Sequence, residues 1–313
     1  ITNKSFKYRK DNVFQSQMNK FKQIINIIKE EEIDYILSAG DLFDKPDPSF
    51  KVVAQFINLF SRLQTTQFFA IAGNHDLYNQ NLHTLNKTVL SVLDKSNFLN
   101  LLSVNSIFLQ NNDIITQLNG IHFQNNKNKF YHKFNNLSKD SDSNYMITLI
   151  HQAISHQNNK KVIPLNEISS QCESDIVIIG HVHQRQGIFK RNGKYFIFPS
   201  ALIRRHFDSR DRIPKVAVIT LDNDKIDVKL KELEVKPADE IFYTEEKLNN
   251  KRAKRNFVTS FKDLDKNKVK DLANQKVDLN KLLKEVANKK KIDSNVKEEI
   301  NNLLKESKKE LNS

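Results

Sequence analysis

Four short clusters combine acid, amide and imidazole side chains: Gly40-Asp41-Leu42-Phe43-Asp44, Gly73-Asn74-His75-Asp76, His151-Gln152 and Gly180-His181-Val182-His183. These residue types suit a divalent cation. A carboxylate can bridge two ions, an amide oxygen is a neutral ligand, and imidazoles fill the remaining positions. Mixed nitrogen and oxygen ligation without thiolate favours Mn, Fe or Zn over a sulfur site. Two such ions about 3.5–4 Å apart clamp a phosphoryl group and lower the pKa of a bridging water, giving hydroxide at neutral pH. Each cluster alone has an ordinary reading. Gly-Asp is a common turn, Gly-Asn-His-Asp can be an Asx-turn, and His151 or the His181/His183 pair can simply end a strand. The chemistry rests on all four occurring together.

Their shared context is the link. Each cluster ends or follows an apolar run that reads as a buried strand, over 34–41, 67–74, 145–150 and 175–180. In open α/β sheets ligands sit beyond the carboxyl ends of the strands, so four distant segments would deliver their side chains into one crevice. The Gly before three of the clusters lets the backbone turn sharply. Phe14, Met18, Phe21, Ile25 and Ile28 recur at four- and three-residue steps and predict a helix over roughly 13–31. A second helix is expected over 49–63 after Pro46 and Pro48, and a third over 84–93. Short strands are expected within 98–123, and the polar, aperiodic stretch 124–144 reads as a loop. Asn192-Gly193 between apolar runs predicts a hairpin over 189–198, and two further strands are expected over 215–221 and 226–234. Strand alternating with helix makes the fold class α/β with a largely parallel sheet.

Composition narrows the class without choosing a function. The 313 residues suggest about two domains. No stretch approaches the ~18 uninterrupted apolar residues of a helical membrane span, so no membrane partner is expected. Cys172 stands alone, which excludes a disulfide framework or a thiolate zinc site and points to a reducing, cytoplasmic setting. The net charge of +13 is uneven: residues 247–313 hold 19 Lys and Arg against 10 Asp and Glu, the remainder 31 against 27. A basic tail on a nearly neutral body fits a polyanion-binding protein, and equally a Lys-rich composition bias. Beyond about 249 the chain is Lys- and Asn-rich. Helical periods at 277–287 and 294–305, joined at Asp293-Ser294-Asn295, predict a helix–loop–helix hairpin over 277–313 after a linker at 236–276.

With these motifs in view, the sequence resembles the calcineurin-like metallophosphoesterases over roughly residues 1–235. The resemblance implies two packed mixed β-sheets flanked by helices, followed here by the basic C-terminal helical region. Within the superfamily it looks most like the nuclease subunit of SbcCD-type DNA repair complexes, including phage relatives. That likeness is carried by Gly-Asp-Leu-Phe-Asp-Lys-Pro-Asp-Pro-Ser at 40–49, Ala-Ile-Ala-Gly-Asn-His-Asp-Leu-Tyr at 70–78 and Arg-Arg-His-Phe-Asp-Ser at 204–209. By motif, the resemblance implies that Asp41 bridges two metals, that Asn74, His151 and His181 complete one shell, and that His183 binds the other ion. His75 would stay off the metals and give a proton or hydrogen bond to the scissile phosphate, with Asp76 orienting it and Asp44 bracing the loop. Arg204 and Arg205 would reach flanking phosphates, or form an ordinary basic turn. His83, His122, His132 and His156 read as surface residues, and His206 is not counted in the site.

The family's first motif, Asp-x-His at the end of a first strand, has no counterpart: no His precedes His75, and only Asp11 and Asp34 precede Asp41. With Ile1 in place of Met, the expectation is a catalytic domain lacking that strand and motif, whose second metal shell is incomplete. The implied function is a metal-dependent DNA exonuclease and endonuclease of a repair or recombination complex. It would use two divalent ions, Mn²⁺ foremost with Mg²⁺, Fe²⁺ or Zn²⁺ as alternatives. The alternatives are a small-molecule or cyclic-nucleotide phosphoesterase, and a catalytically incomplete scaffold. Implied partners are DNA, a second copy of the chain, and an SbcC-type coiled-coil ATPase gripped by Leu282, Leu283, Ile300 and Leu303. The implied location is the cytoplasm at the nucleoid, or a host cytoplasm for a phage protein.

Overall fold

The structure is a computed structural model that describes residues 1–63, 65–155, 162–183, 187–199, 201–223 and 225–244. The predicted hairpin at 277–313, its contact residues Leu282, Leu283, Ile300 and Leu303, and His156 lie outside the described residues. Residues Ile1–Ile241 form one compact unit. The short helix Ala238–Ile241 falls at the start of the range read as linker, and Ile241 is buried.

The first long helix, α1 (Val13–Glu30), starts where the Asn12 side chain accepts from the Gln15 N–H. Its Met18, Phe21 and Ile25 lie on one face, as the 3.6-residue period requires. Strand β1 (Tyr35–Ser38), helix α2 (Phe50–Phe60), strand β2 (Gln67–Ala70), helix α3 (Val89–Lys95) and strand β3 (Asn100–Leu101) follow. The three strands pair in parallel in the order β1-β2-β3. Helices α1, α2 and α3 cover one face of this sheet, with Phe56 fully buried among Phe21, Phe43, Phe60, Phe68 and Phe98. Burying each such side chain contributes about 1.5–3 kcal/mol.

The remaining strands are β4 (Ile107–Asn111), β5 (Ile114–Ile121), β6 (Tyr145–His151), β7 (Ile154–Ser155), β8 (Ile163–Pro164), β9 (Ile176–Gly180), β10 (Gly187–Arg191), β11 (Lys194–Phe198), β12 (Lys215–Asp222) and β13 (Lys225–Glu232). A mixed six-stranded sheet runs β10-β11-β9-β6-β5-β4, with β5, β6, β9 and β11 parallel to their neighbours in that series. Strands β6 and β9 are buried on both faces, as central strands of a two-sided parallel sheet must be. Alternate residues Ile147, Leu149, Ile176 and Ile178 meet Phe69, Ile71 and Leu102 in the core between the sheets. Met146, Ile150, Val177 and Ile179 pack instead against α4 (Lys127–Asn135) and α5 (Leu165–Gln171). The layers are therefore helix, sheet, sheet, helix. One sheet is purely parallel among the described residues where two mixed sheets were expected, and the β12–β13 hairpin packs on the inter-sheet core as a separate pair.

Two expectations need correction. The stretch 124–144 contains α4, capped by the Asn126 side chain and anchored by buried Phe130 and Phe134. Two apolar residues four apart suffice to bury its face, too few to show a period in a polar segment. The helix expected over 84–93 is split: Leu82–Lys87 is a 3₁₀ segment, and extended Thr88 caps α3 through its side chain. Thr competes for backbone N–H groups in this way and favours caps over helix interiors. The Asn192-Gly193 hairpin forms as expected, both residues adopting the positive φ that its tight turn demands.

Candidate metal centre

Parallel register brings the strand ends level. Ser38 pairs with Ala70 at the ends of β1 and β2, and His151 pairs with Gly180 at the ends of β6 and β9. Asp41 and Asn74 thus come from the three-stranded sheet, His151 and His181 from the six-stranded one. The ligand atoms of Asp41, His151 and His181 all lie within 4.8 Å of one another. Asn74 Oδ1 is 2.8 Å from His181 Nδ1 and 3.3 Å from His151 Nε2. Asp41 Oδ2 is 3.4 Å from His151 Nε2 and 4.0 Å from His183 Nε2. That oxygen is buried without a well-formed hydrogen bond, and its second oxygen accepts the His75 backbone N–H at 2.8 Å. A buried carboxylate oxygen left open beside an amide oxygen and two imidazoles fits a cation with mixed N/O preference.

Close backbone approach makes this convergence possible. A Cβ on Gly40 would lie 2.5 Å from His151 Nδ1, and one on Gly73 would lie 2.2 Å from Asp41 Oδ1. Gly40 also has a φ of 88°, and Asp41 and His181 follow at 54° and 84°, unusual for residues with side chains. Strain of this kind persists where the surrounding structure over-determines it.

Charge is already arranged for a ligand. Burial works to raise the Asp41 carboxyl, but the His151 and His183 imidazoles facing it overcome that and hold the group well below the usual carboxylate range. Burial opposes charge on His151 too, yet the Asp41 carboxylate and the Ala39 carbonyl raise it above the ordinary imidazole value. Its Nδ1–H donates to Ala39 O at 2.6 Å, leaving Nε2 toward the cluster, the orientation seen in metal-ligating histidines. His181 goes the other way: burial first, then neighbouring His151, push it down to about 4. His183 is more peripheral, its side chain 45% exposed.

Other predicted residues separate. His75 lies over the same groove, but the acid beside its ring is Asp44 rather than Asp76: Nδ1 is 3.3 Å from the Asp44 carbonyl and 3.9 Å from its carboxylate. Asp76 is buried and accepts the backbone N–H groups of Phe43 and Gly73, so it ties the two ligand loops together. Burial, then the Asp41 charge, push it up to about 6. The Arg204 guanidinium is buried and donates to the Arg210 and Lys236 carbonyls, which orients it away from the open groove that Arg205 lines. Arg205 and His206 line the groove with His75 and His183. His122, read as a surface residue, is half-buried and accepts the Ala72 N–H at 2.9 Å, with burial lowering it to about 4. Its place directly after Gly120-Ile121 at the end of a strand was the available signal. His83 and His132 are exposed as expected.

A two-sheet α/β fold carrying a carboxylate, an amide and imidazoles on its strand ends defines a metallophosphoesterase. The calcineurin-like phosphoesterase family matches residues 14–185, and the chain belongs to it. Members use divalent metals, and Asp41, Asn74, His151 and His181 are the residues here that would hold one. The chain is also similar to the DNA double-strand break repair protein Mre11 of Saccharolobus solfataricus, 32% identical over 82 residues, 26% of this chain and 22% of that protein. The protein of the same name from Methanosarcina acetivorans is 33% identical over 64 residues, 20% of this chain and 10% of that one. The matched part thus spans under a quarter of either relative. Among solved structures, TT1561 of Thermus thermophilus aligns with a TM-score of 0.44 at 11% identity, covering 69% of this chain and 94% of that one.

Proposed function

We propose that the chain is the catalytic domain of a metal-dependent DNA phosphodiesterase, the nuclease subunit of a repair or recombination complex. The observation that carries the reading is the convergence of Asp41, Asn74, His151 and His181 in one groove with His75 and Arg205. Partial identity to the two Mre11 proteins and the basic stretch 247–313 favour DNA over a small substrate. Asp41, Asn74, His151 and His181 hold one divalent ion, Mn²⁺ by our reading. His183 and Asp41 face a second position. A bound metal supplies charge neutralisation at phosphate and a more acidic water. The chain's own part is positional. The Asp44 carbonyl accepts from His75 Nδ1–H and so aims Nε2 at the groove, where a proton on Nε2 is given to a substrate oxygen, and Arg205 pairs with a neighbouring phosphate. A second copy and an SbcC-type ATPase, gripped through residues 277–313, complete the assembly in the cytoplasm.

The test is Mn²⁺-dependent cleavage of an end-labelled single-stranded oligonucleotide by the protein, with metal content measured in parallel. His75→Ala should keep its metal and lose about 10²–10⁴ in rate, the usual worth of general acid–base help. His151→Ala and His181→Ala should lose metal. Hydrolysis of a cyclic nucleotide but not of DNA would select the small-molecule reading. Metal binding without hydrolysis of either would select the scaffold.

A further inference from the structure

Adjacent arginines in the 201–212 loop have opposite fates. Arg204 spends its guanidinium on main-chain carbonyls. Arg205 does not. Its Nε is buried with no hydrogen-bond partner, its guanidinium lies 4.7 Å from the centre of the Phe6 ring, and Nη1 reaches Asp44 Oδ1 only at 3.6 Å. A buried donor left unmade costs free energy, so an arginine held over an aromatic ring with its Nε open is prepared for another acceptor. Asp44 is the node of this arrangement. The same carboxylate takes Lys4 Nζ at 3.0 Å and stands 3.9 Å from His75 Nδ1, so one acid faces three basic groups from three separate segments.

We propose that Arg205, held over the Phe6 ring, is the receptor for a phosphate beside the scissile one, and that Asp44 is a built-in competitor which releases it when a phosphodiester chain enters. The proposal rests on the phosphodiesterase reading above and adds to it two residues, Phe6 and Asp44, that no motif singles out as substrate contacts. A planar fork matches phosphate geometry better than a single 3.6 Å contact to a carboxylate does, so the exchange favours the incoming anion. Without substrate, Asp44 keeps Arg205 and Lys4 from repelling one another.

The experiment is fluorescence anisotropy of a labelled single-stranded dodecathymidylate with the 313-residue chain in EDTA, with thermal unfolding of each variant as the control for folding. Asp44→Asn removes the competing charge and should tighten binding about two- to fivefold, the range a loosely made ion pair supports. Arg205→Ala should weaken binding and lower the salt slope by about 0.7, the value for one phosphate contact on a single strand. Phe6→Ala should weaken it in the same direction. The decisive arm is the double variant, because the gain from Asp44→Asn must shrink when Arg205 is absent, leaving only the share that comes through Lys4. A gain that persists undiminished in the Arg205→Ala background is general electrostatics and overturns the proposal, as does no gain in the single variant. If Asp44→Asn fails to fold, Asp44→Ser takes its place. Should wild type ignore the oligonucleotide but bind bis(p-nitrophenyl) phosphate with the same variant pattern, the rim site stands and the DNA reading falls. Binding of neither probe overturns both.

Discussion

At the residue scale, the cluster is a set of groups whose protonation is already biased toward a cation. His151 keeps its proton more tightly than a free imidazole because Asp41 sits beside it, while His181 is neutral through the neutral range. A metal must displace the His151 proton but not one from His181. Affinity should therefore rise with pH up to the His151 pKa, by up to about tenfold per unit, and level off above it. Calorimetric titration of Mn²⁺ in buffers of different ionisation enthalpy should show close to one proton released per ion from about one pH unit below that plateau downward, falling toward none above it. Asp76 offers a second check. Both its oxygens accept main-chain N–H groups, and an amide can accept only on one side, so Asp76→Asn leaves a buried donor facing a donor. Denaturant unfolding should show a loss of about 1–3 kcal/mol. Asp76 also has a pH signature of its own. Its folded pKa lies above the unfolded value, so its contribution makes the fold less stable as pH rises from about 4 to 6, and the Asn variant should lack that slope. The clustering of these donors was legible in sequence, because each type sits directly at the end of an apolar run. Their partners were not: Asp76 next to His75 in the chain points elsewhere, and Asp44, 31 residues away, lies beside the ring.

At the element scale, strands with a turn residue at each end were readable and helices with few apolar positions were not. α4 shows why, since Phe130 and Phe134 alone bury its face and the rest of its sequence is polar. α2 shows the converse hazard, an apolar helix whose sequence does not say which side is inside. Phe56 is fully buried among five other Phe rings, whereas Phe50 on the same helix is 92% exposed. Phe56→Ala should cost about 3–5 kcal/mol, through lost burial and a cavity that rigid neighbours cannot fill. Phe50→Ala should stay within about 0.5 kcal/mol, as surface changes do. Chemical denaturation of the two variants separates them directly. Equal losses would mean that α2 packs in another rotation.

At the scale of the whole molecule, the donors belong to different sheets. Asp41 and Asn74 follow strands of the parallel sheet, and His151 and His181 end strands of the mixed sheet. The interface between those sheets is otherwise apolar, built from Phe69, Ile71, Leu118, Leu149 and Ile178. Such a core is not directional, whereas a bound ion would hold both sheets at fixed points along one edge of it. Metal is then linked to global stability as well as to local order, because the unfolded chain cannot bring four segments together. A ligand at about 100 times its Kd stabilises the folded state by about 2.7 kcal/mol. For a domain of this size each kcal/mol moves Tm by about 2–4 °C, so saturating Mn²⁺ should raise Tm by about 5–10 °C and EDTA should reverse it. His181→Ala and Asn74→Ala, one from each sheet, should each abolish most of the shift while changing the metal-free Tm far less. His75→Ala should retain it, since that ring contacts Asp44 and not the donor cluster. A shift that survived in His181→Ala would mean that the stabilising ion sits somewhere other than between the sheets.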